Sequence, residues 1–365
     1  MNMSTNSSTP VITKDSKKKI KVDYEGKLSV KERLKRKLAE SNTWIKAGVT
    51  VLRFILMLGI SFVIIYPFIA RIAGSFMTYN DVIDSTVAII PKNPTLEIYK
   101  AIIAENHYFE ALLNTVLLSL ICAIIQTLIS CWIGYGIAKF KFKGNKLIMA
   151  LVVFTMIIPH NALSLSMKMH FAQFDLGNII SWNNRNYFVW TETGILEFIF
   201  GKKIALTNSF APYILMSLGG LAFKNGLYIY LMRQFFKGVP DELEESAYVD
   251  GSGVFRTFFQ IIIPLSVPMM ITIFLFSFSW QWTDEFYASV FLPAKLGSAD
   301  KIFMMPDVYQ NVPPAINPQG KAGASIYQNV IQNTGGMMII MPLIVLYLFC
   351  QKYLVQGIER SGLVG

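Results

Sequence analysis

Apolar residues in this chain gather into long runs set between short polar stretches. Crossing the hydrocarbon core of a bilayer takes roughly 20 mostly apolar residues, fewer where polar flanks snorkel. Six runs meet that measure: about Phe54 to Ala70, Ala111 to Ala138, Leu147 to Met167, Ala211 to Met232, Phe258 to Trp280 and Gly336 to Tyr353. The pattern predicts an all-α, polytopic membrane protein with six transmembrane helices. No small-residue cleavage site follows the first run, so it reads as a retained anchor rather than a signal peptide. Lys139-Phe140-Lys141-Phe142-Lys143-Gly144 separates the second run from the third and predicts a helical hairpin.

The segments between runs divide the chain further. Residues 1–46 read as a basic tail, polar to about Leu28 and then carrying the capping box Ser29-Val30-Lys31-Glu32 ahead of Leu34 and Leu38, which predicts a short amphipathic helix. Residues 47–365 form the membrane domain, with long loops at 171–210 and 292–335; the first holds Trp182, Tyr187 and Trp190, the second Pro306, Pro313, Pro314 and Pro318. Loops of such length usually have a binding role. Pro91-Lys92-Asn93-Pro94-Thr95 predicts a break before a short surface helix that ends near Glu105.

Composition agrees with a bilayer location: 53% of residues are hydrophobic, 15% are charged and the mean hydropathy is +0.45. Of the net charge of +10, most lies in the tail, whose first 46 residues hold 12 basic and 5 acidic side chains. Basic residues near span ends resist translocation. Placing both termini in the cytoplasm puts the tail, Lys139 to Lys146, Arg233, Lys237, Arg256, Lys352 and Arg360 on that side. The tail lacks the interleaved aromatics of a nucleic-acid-binding face, so nucleic acid is excluded as a partner. Cys122, Cys131 and Cys350 fall inside the runs with no Cys-x-x-Cys pair, which gives neither a disulfide framework nor a metal site. The three histidines, His107, His160 and His170, form no metalloprotease motif, and no nucleophile elbow is present; no catalytic residue is assigned.

Ionisable groups inside spans are costly and mark pathways. Lys224-Asn225 lies near the middle of the fourth run and suits a hydrated cavity, unless the span begins later and Lys224 snorkels. Trp280-Gln281-Trp282-Thr283-Asp284-Glu285 ends the fifth run. Its rings and carboxylates suit a sugar, although an interfacial aromatic belt would account for the tryptophans. Lys224, Asn225, Trp280, Trp282, Asp284 and Glu285 are therefore the candidate substrate pathway. His160 and Asn161, after Pro159, read as a helix cap.

Between the fourth and fifth runs, residues 233–264 predict a helix, a turn and a second helix. Pro240 suits a first helical position, and Asp241, Glu242 and Glu244 complement the helix N-terminus. Asp250-Gly251-Ser252-Gly253 supplies the stop. The small Ser246 and Ala247 permit another protein to approach closely. Glu245-Ser246-Ala247, Gly251 and Ile261-Ile262-Ile263-Pro264 keep the spacing of the coupling-loop signature of type I ABC importer permeases, in which Glu-Ala-Ala is followed by Gly and then Ile-x-Leu-Pro. The departures are Ser246 for the first Ala and Ile263 for Leu. Asn114-Thr115, Ala138 to Gly144, Met156-Ile157-Ile158-Pro159, Arg233-Gln234-Phe235-Phe236 and Tyr353 to Ile358 extend the resemblance from about Ile60 to Gly365. They resemble the carbohydrate-uptake group, in particular the maltose permease second subunit. The basic tail and both long loops depart from it.

The resemblance implies a plasma-membrane permease for a carbohydrate, expected to be an oligosaccharide, with no cofactor of its own. Partners implied are a cytoplasmic ATP-binding subunit, a second homologous permease subunit and an extracellular or periplasmic solute-binding protein. Glu245, Ser246, Ala247, Asp250, Gly251 and Pro264 would couple to the ATPase. No Walker A pattern occurs, which puts ATP on the partner. A non-sugar cargo keeps the same architecture. An ion-coupled secondary transporter also suits six spans, but it leaves this loop unexplained.

Overall fold

The computed structural model describes residues 41–174, 180–182, 188–190, 204–292 and 301–362. The amphipathic helix expected at residues 29–38 lies outside them. The chain divides into two compact units, Met1–Ile69 and Ala70–Gly365. Helix α1, Ser41–Gly74, begins in the first. It exposes Phe54, Ile55, Met57, Phe62 and Val63 around its circumference, as a helix surrounded by lipid would.

In the second unit, α2 (Tyr79–Ile83) and α3 (Glu97–Glu105) precede the long α4, Tyr108–Lys139. Helix α3 is the surface helix expected after Pro94. Lipid tails are as apolar as leucine, so helices in a bilayer associate through close packing and buried polar contacts. The inward face of α4 follows that rule: Thr115, Ser119, Cys122, Ala123, Gln126, Ser130 and Gly134 are buried on it. Gln126 accepts a hydrogen bond from Ser277 at 3.0 Å and donates to Ser217 at 3.2 Å, joining three segments of the bundle. A Cβ at Gly134 would sit 2.6 Å from the Met232 Cβ, so only glycine permits that crossing.

Two expected spans are not continuous helices. The third run is α5 (Asn145–Ile157) and α6 (His160–Ala172), bent by 98°. Pro159 has no N–H and forces Ile158 into extended backbone, ψ 123°, which ends α5. A hairpin of β1 (Ile180–Trp182) and β2 (Phe188–Trp190), with Ser181 opposite Val189, follows in the 171–210 loop, so the fold is mostly rather than wholly helical.

The fourth run is α7 (Ala211–Leu218) and α8 (Asn225–Lys237). Gly219 and Gly220 end α7: Gly220 takes φ +70°, and the Leu221 N–H closes back on the Met216 carbonyl at 2.9 Å. Helix α9, Glu242–Val249, leads to α10, Val254–Trp282, which starts earlier than expected. Just before Pro264, the Ile263 N–H reaches back five residues to Phe258, making one π-turn over Phe258–Ile262. After α11 (Phe286–Phe291), the 292–335 loop is partly helical: α12 (Met305–Gln310), a 3-10 turn at Pro314–Ile316, and α13 (Ala324–Gly362). Helix α13 begins well ahead of Gly336. Among the described residues, four helices are long and apolar enough to cross a membrane, or five if α5 and α6 count as one. Helix α4 is the hub, packing on α7, α8 and α10, while α10 also packs on α13 and α8 on α5.

Candidate functional site

The α8–α10 loop is built on an acidic helix start and a glycine stop. Asp241 is the N-cap of α9, with Glu242, Glu244 and Glu245 in the first turn facing the positive end of the helix. Pro240 stands one residue before the cap, not inside the helix as expected, because the backbone turns at Gly238 and Val239 first. Gly251 takes φ +81°, and the Ser252 N–H bonds to the Ala247 carbonyl at 2.9 Å, completing a Schellman closure.

The two faces of α9 differ. Glu245, Ser246 and Asp250 are exposed, as are Gly251 and, at the start of the α-helical part of α10, Pro264. Ala247 and Glu244 are buried. Tyr135 on α4 donates its hydroxyl to Glu244 at 3.0 Å. Lys139, at the end of α4, reaches the Val239 carbonyl at 2.6 Å, Asp241 at 2.5 Å and Glu244 at 3.4 Å. The Lys139 ammonium holds the Asp241 carboxyl below the usual range through a hydrogen bond and through charge. The sequence assigns Glu244 only to the helix start; its tie to α4 through Tyr135 and Lys139 was not foreseen. Glu244 precedes the signature by one position, but its spacing of three from Ala247 puts both on one helix face.

The second site lies where α5–α6 and α7–α8 are interrupted. A cavity of about 310 Å³ is lined by Thr155, His160, Met167, Gly220, Lys224 and Asn225, among others. Lys224 is the N-cap of α8 in the left-handed region, φ +64°, a conformation that costs a non-glycine residue about 1 kcal/mol or more. Its ammonium lies 4.8 Å from the Phe223 ring centre and 5.1 Å from that of Trp280. Among the described residues no carboxylate lies within ion-pair distance of it. Asn225 is fully buried; its Oδ1 accepts from Ser130 at 3.5 Å, and its Nδ2 has no hydrogen-bond partner among the described residues. His160 lines the cavity rather than capping α6, whose N-cap is Pro159. Its Nδ1 is 2.9 Å from the Tyr287 hydroxyl, and its ring meets Phe223 edge to face at 4.8 Å.

The structure thus brings Lys224, Asn225 and Trp280 together and adds His160, Phe223 and Tyr287. Trp282 stands apart: it is 1% exposed and donates its indole N–H to the Ile339 carbonyl at 2.9 Å, tying α10 to α13. The aromatic positions at the end of α10 therefore split, Trp280 outward and Trp282 into the core. Asp284 accepts the Tyr287 N–H at 3.1 Å and starts α11. Burial raises its pKa to about 6 against the pull of nearby backbone N–H groups. Glu285 accepts from Tyr309 at 2.6 Å on the rim of a separate cavity, also about 310 Å³, shared with the ion pair Lys301–Asp307 at 2.8 Å.

Residues 126–360 match the family described as binding-protein-dependent transport system inner membrane component. The galactooligosaccharides transport system permease protein GanQ of Bacillus subtilis (strain 168) is 25% identical over 315 residues, covering 86% of this chain and 94% of that protein. The maltodextrin transport system permease protein MalD of Streptococcus pneumoniae (strain ATCC BAA-255 / R6) is 26% identical over 341 residues, covering 90% and 97%. Among solved structures, a chain of a bacterial ABC transporter involved in the import of the acidic polysaccharide alginate superposes with a TM-score of 0.61 at 19% identity, over 86% of this chain and 98% of that one. That likeness carries the fold.

Proposed function

The chain belongs to the family of binding-protein-dependent transport system inner membrane components, multi-pass proteins of the bacterial plasma membrane, and we propose that it is the carbohydrate-passing permease subunit of an ATP-driven importer. In this reading it spans the membrane six times with both termini cytoplasmic. The bent α5–α6 pair serves as the third span and the broken α7–α8 pair as the fourth. Non-helical backbone at membrane depth is tolerated where it is buried in protein or lines a cavity, and both interruptions border the 310 Å³ cavity.

The observation that carries the proposal is the two-faced α9. Glu245, Ser246, Asp250 and Gly251 form an exposed surface for a cytoplasmic ATP-binding subunit. Glu244 on the opposite face is tied through Tyr135 and Lys139 to α4, the hub of the bundle. A push on α9 is thereby delivered to the helix that packs against α7, α8 and α10. ATP stays on the partner, a second homologous permease completes the pathway, and a solute-binding protein supplies the cargo. The relatives named for galactooligosaccharides and maltodextrin support an oligosaccharide, as do the aromatic faces of Phe223 and Trp280, since aromatic rings bury large apolar areas and pack on the C–H faces of sugars. Lys224, Asn225 and Trp280 line the route in this reading, with Asp284 and Glu285 toward its outer mouth and Trp282 holding α10 in place.

The test is co-purification from detergent of the wild type and of a Glu245→Lys, Gly251→Pro double variant, with mass spectrometry of the bound chains and an ATPase assay. The wild type is expected to retain an ATPase and a second permease, and the variant to lose the ATPase. Absence of an ATPase from both preparations would overturn the proposal.

A further inference from the structure

We infer that Asn106, Asn114 and Thr115 are positioning residues that fasten α12 to the outer end of α4, so that a push on α9 swings α12 away from α11 and opens a seam on the outer face. The inference rests on the permease reading and goes beyond it, because neither the coupling loop nor the cavity between the broken spans uses these residues.

The argument starts from the length of α12. A helix of six residues leaves most of its backbone groups unpaired at its ends and gains too few bonds to stand alone. Its ends are satisfied by side chains 190 to 205 residues earlier in the chain. The Met305 N–H donates to the Thr115 hydroxyl at 2.9 Å. The Asn106 side-chain amide donates to the Val308 carbonyl at 2.9 Å and to the Asn311 carbonyl at 2.7 Å. Asn114 donates to the Phe303 carbonyl at 3.1 Å, and the His107 ring stacks on Phe303 at 4.1 Å. Thr115 and Asn106 are buried, where a polar group stripped of its partner is costly, so these bonds are kept when α4 moves. Helix α13 approaches from behind so closely that a Cβ at Gly335 would sit 2.9 Å from the Tyr309 Cα.

Toward α11 the surroundings of α12 are loose. The second cavity of about 310 Å³ lies between them, lined by Ala288 and Ser289 on one side and by Asp307 and Gln310 on the other. Tyr309 bridges to Glu285, just ahead of α11, but Glu285 is exposed and water can replace that bond at little cost. Met304, at the start of α12, packs in the apolar cluster that holds Tyr287 and Phe291 of α11. The seam therefore pivots at Met304 and opens at Tyr309 and Gln310. Helix α4 joins it to the loop: its 32 residues make a rod about 48 Å long. Asn114 and Thr115 lie in its first turns, and Tyr135 and Lys139, which hold Glu244 of α9 and its N-cap Asp241, lie in its last.

The experiment uses the whole importer, this chain with its cognate subunits, in nanodiscs. Ser289→Cys and Gln310→Cys place thiols on the two sides of the cleft in a Cys350→Ala background, the other native cysteines being buried. Crosslinking by a bis-maleimide is compared without nucleotide and after vanadate trapping of hydrolysed ATP. Trapping is expected to lower the yield by about fivefold or more, the lower end of typical coupling between two sites. An Asn106→Leu, Thr115→Val variant should trap nucleotide as well yet lose that change, whereas Thr115→Ser, which keeps the hydroxyl, should retain it. Asn114→Leu, at a half-buried position, is the gentler second variant and should reduce the change in the same direction. A yield that ignores trapping, or that responds equally with and without the three side chains, would overturn the inference and leave the permease reading standing. Failure of the cysteine-pair protein to trap any nucleotide would overturn both.

Discussion

The loop end of the bundle and the cavity between the broken spans each hold a lysine partly or wholly withdrawn from water, and their surroundings are opposite. The Lys139 side chain is 7% exposed and meets a carbonyl and two carboxylates within 3.4 Å. Lys224 meets two ring faces and a cavity. Where every charge is satisfied from within the chain, the geometry is fixed and force passes through it. Where a charge is only half-buried and has no carboxylate beside it, water can complete its shell and the geometry stays open. The two regions lie at opposite ends of α8, so one short helix joins the fixed end to the open one.

The largest expected effect breaks the fixed end. Glu244→Ala removes the acceptor of the Tyr135 hydroxyl and one of the two carboxylates at Lys139. Losing one member of a buried ion pair costs about 3–5 kcal/mol; because Lys139 keeps Asp241 and the Val239 carbonyl, about 2–3 kcal/mol is expected here. Thermal unfolding in nanodiscs checks the stability. Transport per ATP hydrolysed should fall by more than ATPase binding does, since the exposed face of α9 is untouched. Tyr135→Phe removes one hydrogen bond to a charged group and should cost about 1.5 kcal/mol. A Glu244→Ala, Tyr135→Phe cycle that shows strict additivity would mean that the two do not act as one link.

Much of this was legible before the structure. The apolar runs place every long helix, and the loop signature places α9 with its glycine stop. What escaped was the backbone inside the runs. A hydropathy count sees Leu147 to Met167 and Ala211 to Met232 as long enough, yet Pro159 and the Gly219-Gly220 pair were visible there and interrupt both. Run length alone does not weigh such breakers, although a transporter is the place where interrupted helices are expected. Local pattern makes His160 a cap, because its partner Tyr287 lies 127 residues away, a pairing no local pattern encodes. Trp282 and Trp280 look alike in a string of residues, and only the packing of α10 on α13 separates them.

A middle-sized effect concerns Asp284, whose carboxyl has one oxygen bonded to the Tyr287 N–H and the other, Oδ2, buried without a hydrogen-bond partner. Burial raises its folded pKa from the ordinary 3.8 to about 6. The folded protein therefore holds this proton where the unfolded chain has released it. Stability contributed by the neutral form is fully present below about pH 4 and is lost as pH rises through about 6. Because Asp284 is partly exposed, the change is expected to be on the order of 1 kcal/mol rather than the full value of the shift. Unfolding temperatures measured between pH 4.5 and 7 should fall with pH from this group, and Asp284→Asn should flatten that slope. A slope unchanged in the variant would assign it elsewhere.

The smallest expected effect sharpens the comparison most, because it asks whether the open end supports the fold at all. Lys224→Gly removes a left-handed lysine that costs about 1 kcal/mol or more in strain, and it loses a cation–π contact worth about 0.5–1 kcal/mol. Glycine also adds freedom to the unfolded chain, at about 0.4–1 kcal/mol. These terms nearly cancel, so thermal stability in nanodiscs should stay within about 1 kcal/mol of wild type. The corresponding removal at Lys139 would take the only ion-pair partner from the buried Glu244 and cannot be silent. A Lys224→Gly protein that unfolds as readily as Glu244→Ala would show that the cavity lysine supports the fold as the loop lysine does, and the contrast between the two ends of α8 would collapse.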